Sequence, residues 1–196
     1  NFNGYLILLN SQARKRGFFY EDENTQLTGA WTSNFDIPST QDDEITSAFI
    51  LRRYLYISTR YYLYRVSFVG GNPDFSYLKV KDWGYVSRTV KFIYLEGVGQ
   101  IVTGLCWDEK MRVFDGSDDK ITSGNIEEDN GQCEFGLSKI GRAGSDLIVS
   151  FAETDYNENV YKLVVAMGKD SSQTTHMLNF DGRSQAFYPY ARQNFN

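Results

Sequence analysis

Three carboxylates fall within five residues at Asp115-Gly-Ser-Asp118-Asp119. Oxygen-rich turns of this kind can hold Ca²⁺, but the 12-residue EF-hand loop closes on a Glu that is missing here. The stretch therefore reads as an Asp-Gly turn between blades, the small sheets of a repeat architecture. His176 is the single imidazole of the chain. A Ser-His-Asp or Cys-His arrangement would have to be built on it, and its setting, Thr174-Thr-His-Met-Leu, looks like the start of a strand. Cys106 and Cys133 have no metal-ligand spacing and read as small apolar fillers. Neither Gly70-Gly71 nor Gly97-x-Gly99 continues as a phosphate loop, because no Lys-Ser/Thr or opening helix follows. The expectation is a binding protein and not an enzyme, with no cofactor and no resident metal.

Charge narrows the partners. A net charge of -5 and a pI near 5.0 argue against a non-specific nucleic-acid binder, which needs a positive surface to displace counterions. The short basic runs Arg14-Lys15-Arg16 and Arg52-Arg53 read as a solvated turn and a solvated strand edge. No window approaches the roughly 18 apolar residues of a membrane helix, so no membrane partner is expected. The two cysteines are too few for a disulfide framework, and no Asn sits in an Asn-x-Ser/Thr acceptor. Both features point to an intracellular, cytoplasmic protein. The sequence begins at Asn1 without Met or a targeting run, which suggests a processed chain or a piece of something longer.

The elements that must position these residues are strands. Tyr and Phe, 14 of each, outweigh helix-favouring runs, and this tilts the propensity sum toward an all-β fold. Residues 100–115 are the clearest unit: an apolar strand at 101–105, a polar turn around Asp108 and Lys110, and an alternating strand at 111–114 that stops at Asp115. Upstream, 5–9 and 17–20 read as a first hairpin. Residues 24–44 carry turn chemistry, with an edge strand at Trp31. A meander is expected over 45–50, 54–58 and 62–68, an outer strand near 77–80, and an inner strand at 90–95.

These strands repeat. Leu55-Tyr-Ile-Ser58 aligns with Ile101-Val-Thr-Gly104 and with Leu147-Ile-Val-Ser150, at the same spacing both times. One period before Leu55 lies Leu9, and three periods beyond Ala48-Phe49 lie Ala186-Phe187, which read as the opening strand of another unit. A repeat of this length with three or four short strands suits a β-propeller blade. The expected single domain, 1–196, divides into blades at 1–40, 41–87, 88–132 and 133–180, with 181–196 starting another blade or closing the ring. Further blades from a longer chain or another subunit would be possible partners.

Ile101-Val-Thr-Gly104, the turn residue Asp108, and Met111-Arg-Val-Phe-Asp115 resemble the second half of a degenerate WD repeat, with Phe114-Asp115 at the signature dipeptide and Trp107-Asp108 one turn earlier. The size and blade count are similar to hemopexin-like four-bladed domains. A competing resemblance is to lipocalins, whose three signature elements follow the order of Gly29-Ala-Trp31, Thr154-Asp155-Tyr156 and Arg183. That likeness implies one closed β-barrel carrying a small apolar ligand, with Trp31 at its base against Arg183.

The propeller reading implies a rigid scaffold that binds another protein, one with a basic surface, through acidic and aromatic loops. Asp115, Asp118 and Asp119 would supply the acidic part. Tyr61, Tyr188, Tyr190 and Arg192 would supply anchors, since Tyr and Arg dominate interface energetics. A sugar-binding propeller, in which aromatic faces on the loops stack on pyranose rings, is a further alternative.

Overall fold

A computed structural model describes residues 6–9, 16–20, 33–38, 43–69, 75–122, 137, 142–143, 146–147, 149–167 and 174–189. The chain forms two compact units, Asn1–Gly84 and Tyr85–Asn196. Their regular structure is all β, and no helix among the described residues is long and apolar enough to cross a membrane.

In the first unit, β1 (Leu6–Leu9), β2 (Arg16–Tyr20) and β3 (Ser33–Asp36) form a three-stranded antiparallel sheet. A second sheet runs β4 (Ile45–Leu51), β5 (Tyr54–Thr59), β6 (Leu63–Phe68) and β7 (Phe75–Lys81), with each strand beside its sequence neighbour. Arg52 and Arg53 both have positive φ, 48° and 70°. They are the two central residues of the β4–β5 hairpin, where positive φ matches the twist of the strands, so this basic pair makes a tight turn and not a strand edge. Apolar side chains from both sheets share one core, among them Ile37, Leu55, Ile57, Val66 and Phe75.

The second unit repeats the plan. One sheet has the order β11 (Asp119–Ile121), β10 (Met111–Phe114), β9 (Gly99–Leu105), β8 (Lys91–Leu95). Another has the order β14 (Val149–Asp155), β15 (Val160–Met167), β16 (Thr174–Asp181), β17 (Ala186–Pro189), and a two-stranded ribbon pairs β12 (Arg142–Ala143) with β13 (Asp146–Leu147). The two four-stranded sheets bury a common core that includes Ile101, Leu105, Met111, Tyr161, Leu163, Val165 and Phe180. From Ile101 to Leu105 every residue of β9 is buried. Both faces of that strand are therefore covered, which explains its unbroken apolar run.

Two expectations of register are corrected. Leu55 and Ile101 do sit on the second strands of their sheets, β5 and β9. Residues 147–150, by contrast, straddle β13 and the start of β14, and the second strand of that sheet is β15. The connection from β11 to β14 is longer than the one from β7 to β8, so a fixed spacing slips by one strand. For the same reason Ala186 and Phe187 do not open a new unit. They lie on β17, paired to β16 as the fourth strand of the same sheet.

The barrel expected from the lipocalin likeness is not formed. The described strands lie in separate open sheets, each a run of sequence neighbours whose first and last strands are unpaired with one another. The edge strand expected at Trp31 and the apolar filler expected at Cys133 lie outside the described residues.

Candidate binding cleft

The hairpin β9–β10 places the acidic turn. Met111 pairs with Leu105 and Phe114 with Val102, and after Phe114 the chain reverses into β11 of the same sheet, so the turn joins two strands of one sheet and not two blades. Asp115 builds that reversal: its Oδ1 accepts the Ser117 and Asp118 backbone N–H groups, both at 2.8 Å, and the Ser117 hydroxyl at 3.1 Å. Gly116, at φ 107°, takes a backbone conformation that other residues rarely adopt.

Asp119 is committed to an ion pair. Arg112, on β10, donates to Asp119 Oδ2 at 3.3 Å and to Asp108 Oδ2 at 2.6 Å. Its side chain is only 11% exposed. Burial works against the Arg112 charge, and hydrogen bonding to Asp108 and the negative charge there more than offset it, so its pKa stands above the ordinary arginine value. Next to this pair, Cys106 is fully buried, and burial pushes its thiol well above the ordinary cysteine range. Such a thiol is a packing group and a poor nucleophile.

Asp118 differs from both. Its residue is exposed, and its carboxylate has no hydrogen bond or ion pair among the described residues. Asp115, Asp118 and Asp119 line a cleft of about 190 Å³ whose apolar floor is buried Leu95, Ile101, Val113 and Phe114, with the more exposed Val98, Lys120 and Gln185 also lining it. The Lys120 ammonium reaches Gln185 Oε1 at 3.4 Å, which ties β11 to the β16–β17 turn. Three carboxylates and one ammonium therefore surround an apolar floor. The acids do not converge on a point: among the described residues, no group of His, Cys, Asp or Glu side chains is placed to hold a metal ion.

The aromatic anchors fare differently. Tyr61 is 47% exposed in the β5–β6 turn of the first unit, its ring edge-on to Tyr62 at 6.4 Å. Tyr188 lies on β17 opposite Asn179, while Tyr190 and Arg192 are outside the described residues. Sequence reasoning missed Arg112, Val98 and Gln185. A signal for Arg112 existed, since an arginine inside an apolar strand with acids four residues before and seven after invites pairing across a hairpin.

No protein-family model matches this chain, and no curated protein does.

Proposed function

We propose that the chain is a non-catalytic, propeller-like interaction module whose acidic cleft takes a lysine or arginine side chain from a partner protein. The observation that carries this is the unpaired Asp118 carboxylate at the lip of an apolar floor. A basic side chain has the matching form, an apolar stem below a cationic head. Magnitudes assign the roles. An exposed ion pair contributes about 0.2–1 kcal/mol, whereas each buried methylene contributes about 0.8 kcal/mol. The stem would supply most of the affinity, and Asp118 would choose the sign of the head and fix its position.

The propeller part of the reading is supported by antiparallel sheets of sequence-adjacent strands, two of which contribute to a common buried core in each unit. A blade of this type cannot bury its core alone, and stacked blades hold their loops rigidly. The test uses three short peptides identical except for one central residue: lysine, norleucine or glutamate. Titrated at low salt, the lysine peptide should bind best, the uncharged norleucine peptide next, and the glutamate peptide least. Equal binding of the lysine and glutamate peptides would refute the reading.

A further inference from the structure

A second cavity in the Tyr85–Asn196 unit, about 560 Å³, is lined by Tyr94, Glu96, Tyr156, Asn159 and Arg183. Its volume lies within the roughly 300–1,000 Å³ of small-molecule sites, yet its chemistry is unlike that of the acidic cleft. Two tyrosine rings face it, 60% and 73% exposed. Neither ring has a hydrogen bond or ring contact among the described residues. Glu96 and Arg183 also face it, and these opposite charges do not pair with each other. The nearest acceptor to the Arg183 guanidinium is the Asn157 carbonyl at 3.5 Å, a long contact.

The walls that carry these side chains are fixed. Asp155 Oδ1 accepts the Asn157 and Glu158 N–H groups at 3.1 and 3.3 Å, holding the turn that presents Tyr156. Asp181 accepts the Arg183 N–H at 2.8 Å and the Ser184 hydroxyl at 3.0 Å, holding the turn that presents Arg183. Asn159 fastens the Tyr94 backbone through its side-chain amide. Hydrogen-bonded turns thus present Tyr156 and Arg183, and the clamped strand β8 presents Tyr94, around an open space that Glu96 also lines. Preorganisation of this kind lowers the ordering cost of binding.

We infer that this cavity binds a neutral oligosaccharide. Aromatic faces are electron-rich and attract the polarised C–H groups on one face of a pyranose ring. A carboxylate and a guanidinium can accept from and donate to the ring hydroxyls through charge-assisted hydrogen bonds. The single charges of opposite sign cancel, which disfavours phosphorylated or strongly basic ligands. A lipid is disfavoured by the polar lining.

The test screens neutral hexasaccharides in the gluco, galacto, manno and xylo series against the wild-type chain, with binding followed by calorimetry and tyrosine fluorescence. At least one should bind, with an affinity that salt hardly changes. Tyr94→Ala and Tyr156→Ala should each weaken it about thirtyfold, the scale of a hot-spot residue. Tyr156→Phe should retain most of the affinity, because the ring face is kept. Both alanine variants replace exposed side chains, and Tyr94→Ala leaves the main-chain clamp intact; circular dichroism checks that each is folded. Asp118→Asn should leave sugar binding unchanged, which separates this site from the acidic cleft. The inference is overturned if no hexasaccharide binds at millimolar concentration, if binding survives both alanine changes, or if a charged peptide occupies the two rings in preference to every sugar.

Discussion

The Asn159 side chain hydrogen-bonds to both backbone groups of Tyr94: its Oδ1 accepts the Tyr94 N–H at 2.8 Å, and its Nδ2 donates to the Tyr94 carbonyl. An amide side chain thereby takes the place of a ladder partner for one residue of β8, a strand at the edge of its sheet. Asn159 itself has φ 57°, a conformation Asn tolerates better than most residues. Gly182 makes room for the contact, since a Cβ there would lie 2.5 Å from Asn159 Nδ2 and 2.7 Å from the Tyr94 carbonyl oxygen.

Asn159→Ala should therefore destabilise the chain by about 2–3 kcal/mol, from two lost hydrogen bonds at about 1 kcal/mol each and a further left-handed backbone cost of about 1 kcal/mol. Asn159→Gly loses the same bonds without that strain and should cost less. Urea denaturation measures both: alanine the milder of the two would contradict the left-handed backbone cost, and a glycine variant as stable as the wild type would contradict the clamp.

Arg112→Leu removes the cation that Asp108 and Asp119 share. The pair is buried on the arginine side and partly open on the acid side, so the loss should be about 2 kcal/mol, below the roughly 3–5 kcal/mol of a fully buried pair. Thermal unfolding should show the drop, with partial recovery in an Arg112→Leu, Asp119→Leu double variant.

The neighbouring acids should separate cleanly. Asp115→Ala removes the acceptor of three turn hydrogen bonds and should cost about 1–2 kcal/mol of stability, at roughly 0.5–1.5 kcal/mol per bond with partial replacement by water. Asp118→Asn should change stability by less than about 0.5 kcal/mol. At low salt it should weaken a basic peptide about twofold to fivefold, the size of an exposed ion pair, and that difference should fade as salt is added.

Alkali should act on Tyr64. Its hydroxyl donates to the Pro38 carbonyl at 2.9 Å, and burial, aided by the charge of Asp43, pushes its pKa from 10.0 up to about 12. The folded chain then keeps this proton to higher pH than the unfolded chain does. The associated stability is fully present below pH 10 and is lost as pH rises from 10 toward about 12. Urea midpoints across that window should fall more steeply for the wild type than for Tyr64→Phe.

Local pattern carried the strands and failed on their grouping. The apolar run in 101–105 reveals β9 because both its faces are covered, whereas the alternation in 111–114 locates β10 but predicts one open face, and all four of its residues are buried, Arg112 through its ion pairs. Leu147-Ile-Val-Ser150 has the same local signature as Ile101-Val-Thr-Gly104, and nothing within four residues tells a first strand from a second. The length of the β11–β14 connection decides that. The acidic cleft was half visible: Asp115, Asp118 and Asp119 share one turn, but their division into a turn builder, an ion-pair partner and a free carboxylate depends on Arg112 and on backbone direction. The Tyr94, Tyr156 and Arg183 cavity was not legible as a site: Tyr156 and Arg183 stood out only through the lipocalin likeness, and the lining comes from β8 and from turns distant in sequence.

The most direct test of the acidic cleft is a methyl and amide NMR titration of the chain with the lysine peptide at low salt. The binding reading requires the Val98, Ile101 and Val113 methyls and the Asp118 amide to shift together along one saturating curve, with the shifts reduced in Asp118→Asn. Shifts confined to other acidic segments, or the same response in Asp118→Asn, would show that the lysine side chain does not enter this cleft.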